Sequence, residues 1–157
     1  MTLTFAGEPE YRAHFVANFT VQPLTLHTSG GGAAIYFTAA DFDHAFFESS
    51  RRDGVKDQFS RSRAERMDDI ATILGDAASD RYAGWHAKVR AYDQTRCVCV
   101  ASGDFVIVVR LGLTRGGALR GNFVTCYVAD NSIGKIRTSP RWNEAQCIAS
   151  LTQRKGR

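Results

Sequence analysis

The second half of the chain constrains the fold most. Arg96 to Ala101 and Phe105 to Leu111 are runs rich in β-branched residues, and Asn122 to Val128 follows a glycine-rich turn, which is the pattern of consecutive strands. Ser102-Gly103-Asp104 reads as the hairpin turn joining the first two. Trp85 to Tyr92 alternates and reads as a further strand. Trp85, Ala87, Val89 and Ala91 would face one way, and His86, Lys88, Arg90 and Tyr92 the other.

The first half reads differently. After Thr28-Ser-Gly-Gly-Gly32, a flexible connection, Ala34 to Phe37 reads as a short strand. Thr38 to Ser50 reads as a helix, because Asp41 stands three residues after Thr38 as an acidic variant of the capping box. A second helix is predicted from about Lys56 to Leu74. Phe59, Ala64, Met67, Ile70, Ala71 and Leu74 recur at spacings of three and four, Arg61, Arg63, Glu65 and Arg66 lie opposite, and Gly75 stops it. A closing helix is predicted from Pro140, with Ser139 as N-cap, through Trp142, Ala145, Ile148 and Leu151. The expected fold class is α+β, with N-terminal helices packed on a twisted antiparallel sheet and a C-terminal helix. With 157 residues the chain suits one domain, placed at residues 31–157. Residues 1–30 form an N-terminal segment of uncertain structure, in which Tyr11 to Thr20 fits neither the helical nor the strand period cleanly.

Composition narrows the partners. No apolar run approaches the ~18 residues of a membrane helix, and no basic segment followed by an apolar stretch opens the chain, so no membrane partner is expected and cytoplasmic action is. A net charge of +4 with a pI near 9.0 favours a polyanion. The four cysteines, Cys97, Cys99, Cys126 and Cys147, have no CxxC spacing and no nearby histidine; they read as buried reduced thiols, with no metal or cofactor implied.

Three arrangements carry possible chemistry. In Asn122 to Val128, a regular strand puts Phe123, Thr125 and Tyr127 on one face and Val124, Cys126 and Val128 on the core face. The first face offers a hydroxyl and a phenol able to bond a phosphate oxygen and orient a base, although a solvent-facing strand has the same pattern. The face holding His86, Lys88, Arg90 and Tyr92 suits a nucleic-acid platform, and equally a solvated sheet face. On the first helix, His44 and Glu48 are four residues apart, with Arg51 a turn further, so an acid/base group would sit beside an orienting carboxylate; an idle surface histidine reads the same way. His14 and His27 fit no pattern.

Phe42-Asp-His44-Ala-Phe-Phe and Gly121-Asn-Phe-Val-Thr125-Cys-Tyr127 together resemble the two signature regions of colicin D-like tRNase domains, within the superfamily joining barnase, EndoU, colicin and RelE-type ribonucleases. The resemblance covers roughly residues 36–130. It implies a metal-independent endoribonuclease, a toxin effector cleaving tRNA by attack of the ribose 2′-OH to leave a 2′,3′-cyclic phosphate. It implies that His44 moves the proton, that Thr125 lies beside the scissile phosphate and that Tyr127 is its aromatic partner. Family members often carry lysines just before the histidine, where this chain has Asp41 and Asp43. Substrate binding therefore falls to Arg61, Arg63, Arg66, His86, Lys88 and Arg90. An immunity protein or antitoxin is the partner such a toxin implies. The competing expectations are a module of nuclease-like fold that binds RNA or a partner without cutting, and an interaction module whose strands form an interface.

Overall fold

A computed structural model describes residues 2–129 and 132–155. In chain order the elements are α1 (Glu8–Phe19), β1 (Leu24–Leu26), β2 (Ala33–Tyr36), α2 (Asp41–Ala45), β3 (Phe47–Glu48), β4 (Gln58–Phe59), α3 (Arg61–Ala64), α4 (Asp69–Gly75), β5 (Asp80–Tyr82), β6 (Gly84–His86), β7 (Ala91–Asp93), β8 (Val98–Ser102), β9 (Phe105–Leu113), β10 (Leu119–Val128), α5 (Ile133–Ile136) and α6 (Glu144–Lys155). Six strands form one sheet in the order β1-β2-β10-β9-β8-β5. Every neighbouring pair is antiparallel except β2 with β10, which is parallel. The pairs β3–β4 and β6–β7 are separate two-stranded ribbons. This is the α+β class expected, with a C-terminal helix.

The two faces of the sheet have different neighbours. One face, carrying Ile35, Val98, Val100, Ile107, Val109, Leu111, Phe123 and Cys126, is buried under α1, α2, α3, α4 and α6. The contacts come from Phe15 and Phe19 of α1, Phe42 and Ala45 of α2, Ala64 of α3, Ile70 and Leu74 of α4, and Cys147 of α6. Aromatic stacking knits this core, with Phe37 and Phe123 ring centroids 4.7 Å apart and Phe15 packed on Phe19, Phe42 and Phe46. The other face carries a smaller cluster of Ala101, Val106, Val108 and Ala129, covered in part by Ile133 and Ile136 at α5.

The N-terminal segment belongs to the main core. Tyr11, Phe15 and Phe19 recur every fourth residue, so one stripe of α1 is fully inside. The Tyr11 hydroxyl donates to Leu3 O (3.0 Å) and accepts from Phe5 N–H (3.2 Å). The Glu10 carboxylate accepts from Gly7 N–H at 3.0 Å and fixes the helix start.

Several predicted elements are shorter or bent. Asp41 does bond back to Thr38 N–H (2.8 Å), but α2 has five residues and the chain leaves it at Phe46. Phe47 then pairs with Phe59, their rings 5.8 Å apart, so residues assigned to two long helices build the β3–β4 ribbon instead. The rest of the second predicted helix is divided into α3 and α4. The closing helix begins later than Pro140: Asn143 is its cap, Oδ1 accepting from Gln146 N–H at 2.9 Å. Pro140 and Trp142 instead line the free edge of β5, through Ala83 N–H to Pro140 O (2.8 Å) and Trp142 N–H to Arg81 O (3.0 Å).

Trp85 to Tyr92 is not one strand. It is a hairpin in which Trp85 opposes Tyr92 and His86 opposes Ala91, with residues 87–90 as the turn and Arg90 at φ +51°. Gly84 starts it where a Cβ would collide with the carbonyl oxygens of Arg96 and Cys97. The β8–β9 hairpin is as predicted: Ser102 pairs with Phe105, and Gly103 takes φ +60° in the turn.

Candidate functional site

The decisive local feature is a bulge in β10. Phe123 opposes Val109, and the next paired residue, Thr125, opposes Val108, leaving Val124 as the extra residue. The bulge resets the alternation. Phe123 and Cys126 enter the main core, while Val124, Thr125 and Tyr127 lie on the second face. Phe123 is therefore separated from Thr125 and Tyr127, contrary to the regular-strand expectation, and Val124 joins them.

On the second face these residues help line an open pocket of about 770 Å³. Its aromatic walls are Trp85, Tyr92 and Tyr127; Val108, Val124 and Ile136 add apolar surface; Thr125, Ser139, Lys135 and the thiols of Cys97 and Cys99 supply the polar atoms. Trp85 and Tyr92 stand edge-on, centroids 5.2 Å apart, and are 53% and 45% exposed, so both rings present free surface. The base of their hairpin is tied down by Asp93, which accepts from Thr95 N–H (2.7 Å), Thr95 hydroxyl (2.6 Å) and Arg154 (3.2 Å). Burial pushes the Tyr127 phenol up to about 12 and the Cys99 thiol up to about 11. Both keep their protons at neutral pH, and Tyr127 remains a hydrogen-bond donor.

The second face continues past the pocket toward β2. Asn122 opposes both Arg110 and Tyr36, and Arg120 opposes Gly112 and Ala34, so these side chains follow one another on the face that carries Thr125. Tyr36 is 42% exposed, and Arg120 lies over its ring at 4.7 Å. A small depression of about 150 Å³ separates Arg110, Arg120 and Asn122. Among the described residues no carboxylate pairs with Arg110, Arg120 or Lys135.

The structure brings Thr125 and Tyr127 together in one pocket and leaves His44 elsewhere. His44 is exposed on α2, which packs through Phe42 and Ala45 on the opposite face of the sheet. Because α2 stops at Ala45, Glu48 is not one helical turn from His44; it lies in β3, paired with Arg63 (3.3 Å). Three of the arginines expected to bind substrate, Arg61, Arg63 and Arg66, are engaged inside the molecule. Arg61 donates to Phe5 O and Ala6 O and lies against the Tyr11 ring, Arg63 donates to Ala45 O, and Arg66 pairs with Asp104 (2.8 Å) over Phe105. The Arg66 guanidinium holds the Asp104 carboxyl below its usual range. His86 faces Asp93 (3.8 Å) on the ribbon side away from Trp85 and Tyr92. Lys88 and Arg90 are exposed in the hairpin turn above the pocket walls.

The thiols are also redistributed. All four are free, Cys126 and Cys147 are buried as expected, Cys99 is half-buried, and Cys97 is exposed at φ +52°, where the chain turns into β8. Among the described residues no group of three or more His, Cys, Asp or Glu could hold a metal ion, and no helix is long and apolar enough to cross a membrane. Comparison of the chain with models of protein families, with curated proteins and with solved structures finds no match.

Sequence reasoning missed Tyr36, Arg110, Asn122, Arg120 and Lys135. The signal for the first four lay in the strand alternation of β2, β9 and β10, but it becomes readable only with the parallel β2–β10 register.

Proposed function

We propose that the protein binds single-stranded RNA on the second face of its sheet, with one unpaired base in the pocket between Trp85, Tyr92 and Tyr127. The carrying observation is the continuity of that face: an exposed tyrosine under an arginine, two further polar side chains, then a pocket walled by three aromatic rings. Aromatic faces accept any base by stacking, and unpaired arginines meet the backbone phosphates. Thr125 and Ser139 at the pocket are donors and acceptors that a ribose 2′-OH can meet. Lys88, Arg90 and Lys135 add positive charge around the opening. None of the described lining residues is a histidine or carboxylate, so the pocket supplies binding and orientation without a proton shuttle that titrates near neutral pH.

The resemblance to colicin D-like tRNases supports a second reading, cleavage. One observation favours it: Thr125 and Tyr127 share a pocket, as that resemblance implies. On this reading tRNA is the substrate and an immunity protein or antitoxin the partner, and His44 would have to act from outside the pocket.

One experiment separates the two. Fluorescently labelled oligouridylate, its deoxy counterpart and an RNA duplex are titrated with protein in EDTA by anisotropy, and the RNA is then run on a denaturing gel. The binding reading expects salt-sensitive binding, strongest to single-stranded RNA, with no new ends. New cyclic-phosphate ends that vanish in His44→Ala would replace it with the nuclease; equal failure to bind all three would refute the binding reading.

A further inference from the structure

A row of side chains crosses the second face beside the aromatic pocket. Arg110 of β9, Asn122 of β10 and Tyr36 of β2 stand opposite one another on three neighbouring strands, and all three are exposed. One pleat away Gly112 faces Arg120, with open space where a Cβ would stand. That missing side chain helps leave the depression of about 150 Å³ between Arg110, Arg120 and Asn122.

The polar groups of the row are not consumed inside the chain. The Asn122 amide makes no side-chain hydrogen bond among the described residues, and no carboxylate among them pairs with Arg110 or Arg120. Arg120 lies over the Tyr36 ring at 4.7 Å. Because β2 and β10 run parallel and Arg120 precedes Asn122, the partner of Tyr36, by one pleat, the guanidinium meets the ring from the end of the strand away from Thr125. The opposite ring face is therefore the one turned toward the aromatic pocket.

We infer, resting on the single-stranded RNA reading, that this row is a second base site, taking an adenine stacked on the pocket-side face of Tyr36 with its edge read by Asn122. An amide offers an acceptor and a donor side by side, which matches the adenine amino group and the ring nitrogen next to it. An exposed tyrosine face supplies the stacking. The flanking phosphate falls in the depression beside Gly112, where Arg110 and Arg120 meet it from two sides. Three residues along β10 at ~3.3 Å each and two strand spacings of ~4.8 Å put Tyr36 roughly 14 Å from the middle of the pocket. Bases stacked in succession lie only ~3.4 Å apart, so neighbouring bases do not fill the two sites. The strand crosses the sheet extended, with about one or two nucleotides between the pocket base and the adenine. Since Tyr36 lies on one side of the pocket, the adenine always lies on the same side of the pocket base.

Hexauridylate and the hexamers carrying a single adenosine at each position in turn are compared by competition anisotropy at one salt concentration. The expected gain is one-sided: adenosine near one end tightens binding about five-fold or more, and adenosine at the other end binds as hexauridylate does. Asn122→Ala should erase that gain, and Tyr36→Ala should erase it and also weaken hexauridylate. Both side chains are exposed, so thermal melts of the two variants should match the parent. An equal gain from adenosine at every position would place the adenine in the aromatic pocket and overturn the inference. So would no gain anywhere, a gain kept in Asn122→Ala, or guanosine outranking adenosine in the matching series. Those results leave the RNA reading standing, because hexauridylate still binds and still shifts the Trp85 indole resonance; no binding by any hexamer, with that resonance unmoved, would sink the reading and this site together.

Discussion

Replacing Trp85 by alanine should separate binding from folding. The indole is 53% exposed and meets Tyr92 edge-on at 5.2 Å, so truncation removes little core and one aromatic pair. That pair is worth about 1 kcal/mol of stability. For a chain of this length the melting temperature should fall by roughly 2–4 °C. Loss of a stacked base costs about 1–3 kcal/mol in binding. Affinity for oligouridylate should therefore drop about 5- to 140-fold. Because the indole meets no phosphate, the slope of log K against log salt should stay unchanged. Anisotropy titrations at several salt concentrations, beside a thermal melt, read all three quantities. A folded variant that binds as well as the parent, or one whose salt slope collapses with its affinity, would refute the stacking argument.

Further outcomes rest on the same structure. Arg110→Gln combined with Arg120→Gln should flatten the salt dependence by about 0.7 for each phosphate no longer neutralised, while leaving any base preference intact; salt titrations of both proteins check this. Gly84→Ala should displace the β6–β7 hairpin by driving a methyl into the Arg96 and Cys97 carbonyls, abolishing RNA binding while Val98–Val109 pairing persists in hydrogen exchange. Although burial pushes the Asp93 carboxyl up, the Thr95 and Arg154 hydrogen bonds outweigh it and hold its pKa below the ordinary value. A lowered folded value means stability present above the unfolded pKa of about 3.9 and lost as pH falls through the folded one. Thr95→Val should accordingly shrink the difference in unfolding free energy between neutral and strongly acidic solution, as read by denaturant melts. Finally, an aromatic disulfide reagent should find one fast thiol, Cys97, with Cys99 slow and Cys126 and Cys147 silent until unfolding.

The strands of the second half were legible because their side chains pack on both faces, and β-branched runs bounded by Gly and Asp leave little alternative. The two-residue period failed where a single extra residue intervened. Val124 in β10 has no mark in the sequence, yet it moves Phe123 to the core and leaves Thr125 and Tyr127 outside. The apparent alternation of Trp85 to Tyr92 concealed a hairpin, and pairing across it puts Trp85 and Tyr92 on one side where a single strand would oppose them. Helix lengths were overestimated for a tertiary reason: Phe47 and Phe59 gain more from packing on each other than local propensity gains by continuing either helix. The N-terminal helix was hidden because its stripe is only Tyr11, Phe15 and Phe19, narrower than a typical amphipathic face. His44 and the Thr125–Tyr127 pair are kept apart because α2 packs through Phe42 and Ala45 on the main-core face while the β10 bulge turns Thr125 and Tyr127 to the other.

RNA met on the face holding Tyr36, Arg120 and the aromatic pocket, away from α2, should leave its footprint in resonance maps of the labelled protein with a short oligouridylate. Shifts are expected at the Trp85 indole, the methyl groups of Val108 and Val124, and the Arg110 and Arg120 side chains, with His44 and the helices of the main core unmoved. Shifts centred on His44, Glu48 and Arg63 with the Trp85 indole unchanged would contradict binding on this face.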